Sequence, residues 1–131
     1  MDLASAQEYL RRQLPDLMAV YLFGSQASGE ATASSDADLA VLVPTVLDPA
    51  ELWVMAVEVA DILGVPVDLL DLRRASTVMQ YQIITTGQRL WADGVETGVF
   101  EAFILSEKTA LDEARAGLLG DIYREGVVHG R

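Results

Sequence analysis

Residues Tyr21 to Val43 read YLFGSQASGEATASSDADLAVLV, and the rest of the chain makes sense as support for this stretch. An apolar run, Ala19 to Phe23, stops at Gly24-Ser25. Ten small or polar residues follow, and Asp36-Ala37-Asp38 then opens a second apolar run, Leu39 to Val43. Short apolar runs bounded by Gly and Ser read as buried strands. Side chains two apart on a strand share a face, so Asp36 and Asp38 are expected to point the same way. Two carboxylates side by side repel unless a cation lies between them, and a divalent metal with oxygen ligands is such a cation. Gly24-Ser25 follows a strand and is expected to open a short helix. There a glycine admits a ligand close to the backbone, and free N–H groups favour an anion. An anion cradle beside a carboxylate pair describes a site for a metal-bound nucleoside triphosphate.

Two other phosphate-binding motifs are excluded. Gly24 and Gly29 have P-loop spacing, but Glu30 and Ala31 stand where Lys and Ser/Thr are required, and no GxGxxG fingerprint occurs. Taken singly, Asp36-Ala37-Asp38 is also what a solvated strand entry looks like, and Gly24-Ser25 what a plain turn looks like. Their combination, at this spacing and between two strands, is the informative feature.

Gly-Ser, ten residues and Asp-x-Asp between hydrophobic strands resemble the signature of the DNA polymerase β-like nucleotidyltransferase superfamily. The short chain resembles its minimal nucleotidyltransferase (MNT) branch. The specific part of the resemblance is residues 21–43, helped by a segment around Asp68. It implies an α/β (α+β) fold: a small mixed β-sheet with flanking helices and a long C-terminal helix, as one domain over residues 1–131. It also implies transfer of AMP from ATP to an acceptor hydroxyl with release of pyrophosphate. In that scheme Asp36 and Asp38 hold two Mg²⁺. Asp68 completes the metal site and takes the acceptor proton. Gly24 and Ser25 hold the β- and γ-phosphates. Gln26 and Ser28 depart from the pattern, since many minimal members carry Arg there. Arg73 or Arg74 is the expected source of compensating charge, failing which ATP binds more weakly.

Composition narrows the function. The chain has 131 residues, 51% of them hydrophobic, enough for one packed core. It contains no cysteine and a single histidine, His129, which disfavours thiolate or His-rich metal sites and a Ser–His triad. No leader-like N-terminus and no long apolar run is present, so a cytoplasmic protein away from membranes is the expectation. Twenty acidic against nine basic residues give a net charge of −11, and Lys108 is the lone lysine. Non-specific grip on nucleic acid needs a basic surface, so no direct nucleic-acid substrate is expected. An acidic surface instead suits a basic protein partner or a cationic small molecule.

The remaining elements follow from periodicity and capping. Ser5-Ala-Gln-Glu8 reads as a capping box for a helix ended by Pro15. Thr32 to Ser35 read as a polar loop whose serines cap Asp36. Asp48-Pro49 starts a helix with Leu52, Met55, Val59 and Ile62 inward and Gly64 as C-cap. Val65 to Leu72 is the third strand. Asp68 and Asp71 differ in parity; Asp68 sits among apolar neighbours, where burial is costly without a partner, and Asp71 is expected to cap or to pair with Arg73 or Arg74. A helix over Ser76–Thr86 closes at Gly87, Gln88–Trp91 is a short edge strand, and a long helix runs from Val95 to about Gly126. Its apolar stripe, Phe100, Ile104, Leu111, Ala114, Leu118 and Ile122, is read as core packing.

Three functions are compatible with these features. The leading one is what the resemblance to the minimal nucleotidyltransferases implies: an antitoxin that AMPylates a tyrosine of a HEPN-domain ribonuclease toxin, in a possible hetero-oligomer. The alternatives are nucleotide transfer to an aminoglycoside-like drug and an antitoxin acting by binding alone.

Overall fold

The computed structural model describes residues 1–29 and 36–128, with side chains as far as Gly120. The expected polar loop, Thr32 to Ser35, lies outside the described residues. The elements in chain order are α1 (Leu3–Gln13), β1 (Ala19–Phe23), α2 (Ser25–Ser28), β2 (Ala37–Leu42), α3 (Pro49–Leu63), β3 (Val67–Asp71), α4 (Thr77–Thr86), β4 (Gln88–Ala92) and α5 (Gly94–Val128). A single 3-10 turn, Leu72–Arg74, links β3 to α4.

Four strands form one mixed sheet in the order β3-β2-β1-β4. β1 pairs antiparallel with both β2 and β4, while β2 and β3 run parallel. A parallel pair cannot be closed by a tight hairpin, so the crossover between them is α3. Strand alternation divides the core into two layers. Val20, Leu22, Leu39, Val41 and Leu69 face α1 and α3, meeting Ala6, Leu10, Met55, Val59 and Leu63. Tyr21, Ala40 and Leu42 face the other way, against Ile83, Phe100 and Ile104 of α4 and α5.

Most local signals act where the sequence places them. Asp48 caps α3 by accepting from the Ala50 amide at 3.2 Å, Pro49 occupies the first turn, and Gly64 ends the helix at φ 72°. Two expectations need correction. Helix α1 starts earlier than the Ser5 capping box. Asp2 is its N-cap, accepting from the Ser5 amide at 3.1 Å and the Ser5 hydroxyl at 2.6 Å, because its short carboxylate reaches one of the free amides of the first turn. The stripe of α5 is core only at its start. Phe100 and Ile104 are buried, but Leu118 is 60% exposed, because the helix outruns the sheet it packs on. Among the described residues, no helix is long and apolar enough to cross a membrane.

The start of α5 is pinned by polar contacts. The Thr97 hydroxyl donates to the Met18 carbonyl at 3.0 Å. The buried Tyr21 hydroxyl donates to Glu101 Oε2 at 2.7 Å, and Arg89 Nη1 lies 2.9 Å from Glu101 Oε1. Burial, then the hydrogen bond to Glu101, raises the Tyr21 hydroxyl well above its ordinary range.

Asp71 serves the fold. Only 2% exposed, it accepts from the Leu47 amide at 2.8 Å and the Arg73 amide at 3.1 Å, tying the β2–α3 loop to the end of β3. Truncating it leaves the buried Leu47 amide and the part-buried Arg73 amide unpaired. Asp71→Ala is therefore expected to lower unfolding free energy by about 2–4 kcal/mol. Asp68→Asn, at an exposed position, should change it by less than about 0.5 kcal/mol. Urea unfolding of the two variants checks the contrast; equal losses would contradict the separate roles.

Candidate active site

The site lies at the end of the sheet where β1 leaves and β2 enters. β1 ends at Phe23, whose backbone pairs with Asp38. Gly24 follows at φ 70° and ψ −151°, a conformation open essentially to glycine, and is the N-cap of α2. Its missing side chain matters as much as its backbone. A Cβ there would overlap Asp38 Oδ2 and lie 3.2 Å from Asp38 Cγ. The turn and the carboxylate are thus packed directly on each other.

Register brings the second segment in. Asp38 is the direct neighbour of Asp68 in the parallel β2–β3 pair. Neighbours in a ladder present their side chains to one face, so both carboxylates stand on the α4–α5 side. Asp36, two residues before Asp38, has the same parity and is exposed at the entry to β2. The expected high cost of burying Asp68 does not arise. β3 is the sheet edge, so Asp68 meets solvent.

Asp38 feels its surroundings. The Asp38 carboxyl is held above its usual range first by partial burial, then by the charge of Asp68, then by that of Asp36. Burial and like charge both disfavour the ionised carboxyl. The donor set is all oxygen and hard, the chemistry of Mg²⁺. Among the described residues, no three His, Cys, Asp or Glu side chains are gathered closely enough to form a ready-made metal cage. The set is open: Asp38 and Asp68 side by side, with Asp36 at the rim. It suits an ion that keeps water or substrate oxygens among its ligands.

Neither arginine expected to offset Gln26 and Ser28 reaches this end. Arg73 Nε donates to the Val43 carbonyl, its guanidinium carbon lies 4.9 Å from the centre of the Phe100 ring, and Nη2 approaches Met18 Sδ at 3.8 Å. Val43 is five residues beyond Asp38, or about 17 Å along an extended strand. Arg74 Nε stands 3.8 Å from Asp71 Oδ2 at the same far end. The reason is topological. Both arginines follow the C-terminal end of β3, while the acids stand near the N-terminal ends of β2 and β3.

One wall of the site carries no sequence signal. A cavity of about 340 Å³ opens between Phe23, Gly24 and Asp38 on one side and Met79, Gln82, Ile83 and Thr86 of α4 on the other. Residues of α4 read as an ordinary amphipathic helix, and only its packing on the sheet through Ile83 brings it opposite Asp38.

The polymerase beta, nucleotidyltransferase family model matches residues 5–94, from α1 through β4. The chain belongs to this family. The nucleotidyltransferase is 37% identical over 113 residues to the protein adenylyltransferase MntA of Shewanella oneidensis, the match spanning 86% of this chain and 81% of that protein. A crystal structure of a toxin–antitoxin with AMP-PNP contains a chain that superposes with a TM-score of 0.82 at 34% identity, covering 94% of this chain and 99% of that one. A structure of a tri-AMPylated Shewanella oneidensis HEPN toxin in complex with an MNT antitoxin gives a TM-score of 0.72 at 32% identity, with coverage of 94% and 99%. The family and the mixed-sheet fold expected from residues 21–43 are the ones found.

Proposed function

We propose that this nucleotidyltransferase is an antitoxin that moves AMP from ATP to a tyrosine hydroxyl of a HEPN ribonuclease toxin. The observation that carries the reading is the Asp38–Asp68 pairing in register, with Gly24 packed on Asp38. This packing of the carboxylates against the β1–α2 turn supports a role for that turn in accepting an anion. Support for the acceptor comes from the similarity to a protein adenylyltransferase and to a chain from a complex with an AMPylated HEPN toxin. A surface with net charge −11 suits a protein partner better than a nucleic-acid strand.

Asp36 and Asp38 would hold Mg²⁺, in the expected count of two, with Asp68 on the acceptor side. When bound, the metal neutralises charge on the triphosphate and lowers the acceptor's pKa. The backbone amides after Gly24 and the Ser25 hydroxyl orient the β- and γ-phosphates. Asp68, at the open sheet edge, receives the hydroxyl proton as the acceptor oxygen bonds to the α-phosphorus. The bond to the bridging oxygen then breaks, and pyrophosphate leaves.

A second reading, inhibition by binding alone, is favoured by one observation. Arg73 and Arg74 are engaged at the far end, so neither supplies the positive charge that Gln26 and Ser28 lack. Incubation with labelled ATP, Mg²⁺ and either the HEPN partner or an aminoglycoside separates these functions. Label on a toxin tyrosine is expected. Label on the drug instead, or a stable unlabelled complex with the toxin, would overturn the assignment in favour of the corresponding alternative.

A further inference from the structure

We propose that the cavity between the β1–α2 turn and α4 receives the base of the donor nucleotide, and that the Gln82 carboxamide reads it as adenine. This rests on the nucleotidyltransferase reading and adds the origin of its base selectivity. The cavity begins at Gly24 and Asp38, where the phosphates and metal would sit, and continues along α4. At about 340 Å³ it is within the range of small-molecule sites. Its walls suit a flat aromatic ring. Phe23 and Ile83 offer apolar surface, and the Met79 thioether is a soft partner for a ring.

The polar part of the lining is sparse enough to assign. Aspartate 38 is committed to the carboxylate cluster. The Thr86 hydroxyl donates to the backbone carbonyl of Gln82 at 2.6 Å, so its proton is already used. The Gln82 side chain is exposed and makes no hydrogen bond to other described residues. A carboxamide carries a donor and an acceptor side by side, and adenine presents the complementary pair, its exocyclic amine beside a ring nitrogen. Guanine would bring a further amine to be stripped of water against Met79 and Ile83, without a second carboxamide to receive it.

Exchanging the carboxamide for a carboxylate gives the test its direction. Gln82→Glu presents acceptors only, which match the N1–H and N2 amine of guanine and oppose a lone pair of adenine. Dissociation constants for ATP, GTP and inorganic tripolyphosphate are measured with Mg²⁺ by calorimetry on the wild type, Gln82→Ala and Gln82→Glu. The wild type is expected to prefer ATP to GTP by about tenfold, one base-edge pairing. Gln82→Ala should bring the ratio near unity with tripolyphosphate binding unchanged, and Gln82→Glu should shift it toward GTP. Equal wild-type affinity for ATP and GTP, or an unaltered ratio in both variants, overturns the base assignment alone. A wild type that binds neither ATP nor tripolyphosphate overturns it together with the nucleotidyltransferase reading.

Discussion

Asp38→Asn is expected to lower AMP transfer by about 10³-fold or more while leaving the folded protein at least as stable as before. The loss follows from the place of Asp38 in the cluster, paired with Asp68, preceded by Asp36 and touched by Gly24. On the proposed mechanism, removing one charge from such a site would remove most of its hold on the metal that stabilises the developing phosphate charge. The stability effect has the opposite sign. Asp38 titrates above its ordinary 3.8 because of burial and two like-charged neighbours. A carboxyl with a raised folded pKa favours the folded state below that pKa and costs stability as pH climbs from 3.8 through it. At neutral pH the repulsion is fully present, and the amide removes it. Solvent near this half-buried group screens the effect, so a rise in Tm of about 1–3 °C in metal-free buffer is the expected size. Paired calorimetric scans and a transfer assay check both halves. A variant that keeps wild-type transfer, or that melts several degrees lower without metal, contradicts the assignment.

Gly24→Ala is the second large effect, and its origin is steric. The residue adopts φ 70° and ψ −151°, and a methyl group would overlap Asp38 Oδ2. The backbone strain costs about 1–3 kcal/mol. The overlap can be relieved only by moving the carboxylate or the turn, and a displacement near 1 Å at a reacting centre costs about 10²-fold in rate. Gly29 supplies the control. It also has positive φ, 79°, but nothing lies within 4 Å of a Cβ placed there. Gly29→Ala should share the loss of stability and keep most of the transfer rate. Initial rates and melting temperatures of the two variants decide the matter. Equal activity losses would mean that strain, not contact with Asp38, sets the effect.

Glycine at position 24 shows where the legibility of the sequence ends. Its place after an apolar run marks a turn, and Ser25 after it marks a helix start; both are local properties. That the same glycine is needed to clear a carboxylate fourteen positions later is a property of the β1–β2 pairing. Asp71 divides the same way. Its parity set it apart from Asp68, but the bond to the Leu47 amide depends on where the β2–α3 loop returns.

By itself the sequence determined the strands, the main helices and the family, because these depend on spacing along a few residues. The tertiary structure decided the rest. It set Asp68 opposite Asp38 through parallel register, turned Arg73 and Arg74 to the far end of the sheet, and laid Gln82 over the cavity. Those arrangements join residues far apart in the chain, and no periodicity encodes them. They arise when α3 carries the chain back to start β3 beside β2, and when α4 folds across the sheet to bury Ile83.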